Sequence, residues 1–127
     1  MKNNIALWIG IIVIAAVGGG VWISRANSGP APLDGFAQCL TDKGAIFYGA
    51  FWCPHCQNQK KAFGTSEKKL AYVECSLPNG KGQTQECIDK KVEGYPTWEF
   101  ADQSRESGEL SLARLAEKTG CELPDSF

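Results

Sequence analysis

Two cysteines separated by two residues, Cys53 and Cys56, are the side chains of this sequence best suited to chemistry. They enclose Pro54-His55 and follow Ile46-Phe47-Tyr48-Gly49-Ala50-Phe51-Trp52, which reads as a buried strand. Gln57 to Phe63 continues as an amphipathic helix. A strand that enters a helix through Cys-x-x-Cys puts the first sulfur at the helix N-terminus. Unpaired backbone N–H groups and the helix dipole favour a thiolate there, and the thiolate is the species that attacks disulfides. Cys53 is therefore expected as the exposed nucleophile, with Cys56, a turn further in, resolving the mixed disulfide. His55 is expected to tune the pair. Protonated, or with an N–H aimed at the Cys53 sulfur, it would favour the reduced form and make the disulfide more oxidising. The plainer reading of His55 is a surface residue with no role. Trp52 is expected to shield the site and shape a docking surface, or else simply to pack.

The elements that must position this pair occupy the later part of a 127-residue chain of net charge −1. Ile5 to Ile23 are 19 residues without a charge, long enough for a helix to span a bilayer. Lys2 precedes them and Arg25 follows. This expectation makes residues 1–26 an N-terminal membrane anchor with the globular part outside the cytoplasm. A cleaved secretory signal is the alternative, although the apolar stretch exceeds the usual core of such a signal. Residues 27–33, Asn-Ser-Gly-Pro-Ala-Pro-Leu, read as a linker, and 34–127 as one small domain. Beyond residue 26 the chain carries 11 of its 13 cations and all 14 acids, with no basic run. Nucleic acid is not an expected partner. Lys60-Lys61 and Lys68-Lys69 read as solvated faces.

Asp34 could cap a first helix running to about Lys43, with Phe36, Ala37 and Leu40 on one face and Gly44 as a stop. Ala45 to Ala50 has the apolar pattern of a central strand covered on both sides. The helix after the cysteines is expected to end at Gly64. Leu70 to Cys75 reads as a second strand and Gln85 to Val92 as a short helix. Thr97–Phe100 and Ser104–Ser107 read as a hairpin, and Ser111 caps a last helix reaching Gly120. This order suggests a mixed sheet with helices on both faces, an α/β domain.

Phe51-Trp52-Cys53-Pro54-His55-Cys56 and, about forty residues later, Gly94-Tyr95-Pro96-Thr97 resemble the two motifs of thioredoxin-fold proteins. The resemblance covers roughly Phe36 to Gly120. It implies that Pro96 is cis and faces the cysteines, and that Trp52, Tyr95, Pro96 and Thr97 line a substrate groove. Pro54-His55 is the dipeptide of the DsbA oxidants, but the domain is too short for their helical insertion. It more closely resembles the small thioredoxin-like domains associated with bacterial vitamin K epoxide reductase homologues. Two departures stand out. The family's first strand is missing or vestigial, and the strand before the motif holds no acid to take the proton of Cys56.

Six cysteines in a short exported chain suit three disulfide-forming pairs, of which sequence alone allows fifteen arrangements. Cys75 and Cys87 bracket a Gly- and Pro-containing loop. Bridging them would stabilise the domain by roughly 2–3 kcal/mol as a staple, or they could form a second redox pair relaying electrons to Cys53–Cys56. Cys39 and Cys121 remain for each other by elimination.

A zinc site built from Cys53, Cys56, Cys75 and Cys87 is disfavoured by the eleven residues between the last two. A c-type haem needs His after the second cysteine, where Gln57 stands. Metal and organic cofactor are therefore not expected. The reading is a membrane-tethered, extracytoplasmic thiol–disulfide oxidoreductase of the periplasm or its equivalent. It would promote disulfide formation in exported proteins and be reoxidised by a quinone-linked membrane oxidase of the vitamin K epoxide reductase or DsbB kind. That oxidase is implied by the resemblance only. A reductase or isomerase, and a non-catalytic thioredoxin-like binding or chaperone module, are the alternatives.

Overall fold

The computed structural model of the chain describes residues 31–127. The apolar span Ile5–Ile23, read above as an anchor, lies outside them. No helix among the described residues is long and apolar enough to cross a membrane.

Helix α1 (Asp34–Asp42) leads into strand β1 (Ile46–Gly49), and helix α2 (Pro54–Phe63) follows directly. A 3-10 helix (Gly64–Lys69), β2 (Ala71–Glu74), α3 (Gln85–Asp89), the hairpin β3 (Thr97–Glu99) and β4 (Arg105–Ser107), and α4 (Leu112–Thr119) complete the domain. The four strands form one mixed sheet in the order β2-β1-β3-β4, with β1 parallel to β2 and antiparallel to β3. Among the described residues no strand precedes α1. The architecture is compact α/β, consistent with a thioredoxin-like fold.

β1 is central because neither of its faces tolerates water. Phe47 and Tyr48 are adjacent in sequence, point to opposite sides and are both buried. Phe47 stacks on Trp98 with ring centroids 4.9 Å apart and joins Phe36, Leu40, Phe63 and Leu115 in the larger core. Tyr48 belongs to a second core with Val92 and the Cys75–Cys87 pair. A one-residue slip of β1 would exchange these environments, so the two cores fix its register.

Three stretches differ from the sequence expectation, the first being α3, which stops at Asp89 and not at Val92. Asp34 is not the cap of α1: Leu33 holds that position, and the Asp34 carboxylate reaches back to accept from Ala31 N at 3.0 Å. The acid stands in the first turn instead, where the helix dipole favours it. Residues 64–69, assigned no element from the sequence, wind into the 3-10 helix with Ser66 buried. Ser111 does cap α4, its Oγ accepting from Arg114 N, and Gly120 ends that helix at φ 72°. Only glycine adopts that conformation without strain.

Candidate active site

Cys53 is the N-cap of α2 and Pro54 its first helical residue. Proline suits that position because its missing N–H would have no partner there and its φ is already helical. The cap brings the two cysteines together: Cys56 N donates to Cys53 Sγ at 3.3 Å. Such a bond strengthens when its acceptor carries charge. Both sulfurs are free of disulfides.

Cys53 was expected to be exposed, but only 4% of its surface is. Its Sγ turns inward to the Cys56 amide and lies 3.8 Å from Tyr95 O, whose segment closes over it. Cys56 is completely buried. Burial, followed by its hydrogen bond to Cys53, pushes its thiol up to about 12. Lys60, a turn later on α2, and a backbone contact to Ala50 oppose that rise only in part.

The remaining motif residues are divided between surface and interior. The Tyr95–Pro96 bond is cis, and the Pro96 side chain is fully buried. Thr97 is also buried, and its hydroxyl is occupied by Gly94 O at 2.8 Å and Ser107 Oγ at 3.2 Å. The exposed rim consists of Phe51, Trp52 and part of Tyr95. Trp52 is held in place: its Nε1 donates to Ser76 Oγ at 2.8 Å, and its ring meets Tyr95 edge-on at 6.0 Å. A half-exposed indole fixed at its polar end presents apolar surface beside Cys53 at little entropic cost.

His55 engages a partner that sequence spacing did not suggest. Its Nδ1 lies 2.7 Å from Glu109 Oε1, which also accepts from Asn58 Nδ2 at 3.1 Å. These contacts hold the Glu109 carboxyl below its usual range. The imidazole Nδ1 is therefore engaged with the loop before α4. Gln59 was also missed. It is buried, with Nε2 donating to Leu110 O at 3.0 Å and Oε1 accepting from Leu110 N at 2.7 Å and Trp98 Nε1 at 3.3 Å. The active-site helix is thereby tied to the segment that carries Glu109. A glutamine within Gln57-Asn58-Gln59-Lys60-Lys61 gives no local sign of burial.

The other four cysteines form two disulfides, Cys39–Cys121 and Cys75–Cys87, with Cα atoms 5.9 and 5.5 Å apart. Cys75 and Cys87 are fully buried in the second core, where no substrate thiol can reach them. Being bonded to each other, they cannot complete a zinc site with Cys53 and Cys56. Among the described residues no group of three or more ligating side chains is placed to hold a metal ion.

No protein-family model matches the chain. It is 49% identical over 92 residues to thiol-disulfide oxidoreductase LTO1 of Arabidopsis thaliana, covering 68% of this chain and 24% of that protein. It is 38% identical over 74 residues to a thioredoxin domain-containing protein 5 homolog of Drosophila melanogaster, covering 50% of this chain and 17% of that protein. The chain thus spans a quarter or less of either relative's length. Together with the mixed sheet, these similarities are consistent with a thioredoxin-like fold.

Proposed function

We propose that the chain exchanges disulfides through Cys53 and Cys56 outside the cytoplasm, tethered by Ile5–Ile23, and promotes disulfide formation in exported proteins. The observation that carries this reading is the pair itself: a free Cys53 caps a helix and accepts from the amide of a free, buried Cys56. A substrate thiolate would attack Cys53 in the disulfide form, beside the rim made by Trp52 and Tyr95. Cys56 would leave, and a second substrate thiolate would release the product disulfide and reduce the protein. Pro54-His55 and the Cys39–Cys121 and Cys75–Cys87 bridges suit an oxidising compartment. A membrane oxidase of the vitamin K epoxide reductase or DsbB kind would then restore the Cys53–Cys56 disulfide, passing the electrons to quinone.

Replacing Cys56 with Ala should trap mixed disulfides on Cys53 in cells, identifying exported substrates and the membrane oxidase together. If nothing is trapped and Cys53→Ala causes no redox defect, the protein is a binding module instead. The reduction potential decides direction. A value near about −120 mV supports the oxidant, and one near about −270 mV makes the protein a reductant.

A further inference from the structure

Cys56 is sealed from solvent, yet exchange through Cys53 obliges its sulfur to give up or take back a proton at every turnover. Few groups face it. Cys53 lies across the cap, and Lys60 on α2 places its Nζ 3.6 Å from the centre of the Tyr72 ring. β1 contributes no acid, only Gly49 at the point nearest the sulfur. A Cβ on Gly49 would stand 3.2 Å from Cys56 Sγ and 3.3 Å from the Tyr72 hydroxyl. The thiol and the phenol therefore share the space that the glycine leaves open.

Tyr72 and Glu74 project from β2 onto the same side of the sheet, beside Phe47 and Gly49 in register. The Tyr72 hydroxyl donates to Glu74 Oε2 at 2.8 Å, which leaves its own lone pairs free to accept. Glu74 is held from its other oxygen, Oε1 accepting from Ser76 N at 2.8 Å and Phe51 N at 3.2 Å. Burial and the neighbouring carboxylate push the Tyr72 ionisation well up, so the phenol stays protonated and donating. One oriented carboxylate is thus connected to the space beside the buried thiol through a single hydroxyl.

We propose that Tyr72 and Glu74 form the proton relay of Cys56, doing from β2 what no residue of β1 can do. This rests on the reading of Cys53–Cys56 as the exchanging pair. When Cys56 resolves a mixed disulfide, its S–H bond breaks and the proton passes to the Tyr72 oxygen. The Tyr72 proton moves to Glu74, and the sulfur's electron pair forms the Cys53–Cys56 bond. The bond from Cys53 to the substrate sulfur breaks, its pair leaving on the substrate thiolate. In substrate oxidation the steps reverse: the substrate thiolate attacks Cys53, the disulfide's electron pair leaves on Cys56, and the proton held by Glu74 returns to it.

The reaction of the reduced full chain with an aromatic disulfide such as 5,5′-dithiobis(2-nitrobenzoate) separates the steps. Attack by Cys53 releases the first thionitrobenzoate and resolution by Cys56 the second. Tyr72→Phe and Glu74→Gln should keep the first phase and slow the second about 10²-fold at pH 7, with the deficit shrinking as hydroxide takes over. Tyr72→Phe keeps the ring and decides the matter alone if Glu74→Gln does not fold. A second phase at the wild-type rate in the folded variants overturns the relay. So does a deficit shared equally by both phases at every pH, which marks a structural role. Slowing by Lys60→Met but not by Tyr72→Phe would assign the proton to the amine and also overturn it. A wild-type chain that shows a first phase but no second removes the exchange reading itself, whatever the variants do.

Discussion

The imidazole of His55 pairs with the carboxylate of Glu109, Nδ1 to Oε1 at 2.7 Å, across 54 residues of sequence. The dipeptide between the cysteines is thereby coupled to the loop that enters α4. Glu109 brings negative charge to the active-site rim, which opposes the reduced, thiolate-bearing pair. Glu109→Gln should therefore make the disulfide more oxidising. His55 is 71% exposed and Glu109 40%, so solvent screens the pair and the expected rise is small, measured against a glutathione buffer. A fall in potential would show the pair acting in the opposite sense.

Gln59 fastens α2 to Leu110 and Trp98 through three hydrogen bonds. Gln59→Leu fits a similar volume but leaves buried backbone and indole groups unpaired. It should cost about 3 kcal/mol in urea unfolding. The potential should also shift as Glu109 loses its fixed position. A loss below about 0.5 kcal/mol would mean that water replaces the amide.

At Gly49 a methyl group would sit 2.9 Å from the Tyr72 ring and 3.2 Å from Cys56 Sγ. Cys56 is fully buried and Tyr72 packs against the core, so relief requires one of them to shift. Gly49→Ala should destabilise the fold by about 1–3 kcal/mol and slow resolution by Cys56 more than attack by Cys53. Equal stability with unaltered kinetics would show that the pocket gives way easily.

The two disulfides should act on stability alone. Cys75→Ala with Cys87→Ala opens a loop of 12 residues and should cost about 3 kcal/mol. Cys39→Ala with Cys121→Ala opens one of 82 and should cost about 4–5 kcal/mol. Burial of Cys75 and Cys87 predicts an unchanged Cys53–Cys56 potential and turnover in the first double variant. Lost turnover in a folded variant would instead identify a relay.

Buried Cys56 prefers its neutral form in the folded protein, so protons are retained there after the unfolded thiol has lost its own. Stability from this group is whole below about pH 9 and is lost as pH climbs toward about 12. The reduced protein should lose stability across that window relative to Cys56→Ser, which lacks the titration and cancels the lysines and tyrosines. Parallel pH curves for the two would place Cys56 in contact with water.

The active-site pair and its strand–helix setting were legible because they are local. An apolar run, a cysteine in the capping position, a proline at the first helical residue and an amphipathic stretch lie within about twenty consecutive residues. The opposing Tyr95-Pro96 segment was recognisable as a motif, and Gly120 and Ser111 as helix ends, for the same reason. Asp34 was misplaced by one residue because either it or Leu33 can begin a helix, and only the fold of Ala31 back onto the carboxylate chooses between them.

Sequence by itself determined that two cysteines stand at the start of a helix following a buried strand, since backbone propensity and hydrophobic period act over neighbouring residues. Tertiary structure decided which groups meet them. His55 finds Glu109, Gln59 is buried while its neighbours Asn58 and Lys60 remain more exposed, Cys39 and Cys75 find Cys121 and Cys87 among fifteen possible arrangements, and Tyr72, hydrogen-bonded to Glu74, arrives beside Cys56 from the parallel strand. Each depends on packing between segments distant in the chain, where no local preference of the residues involved specifies the partner.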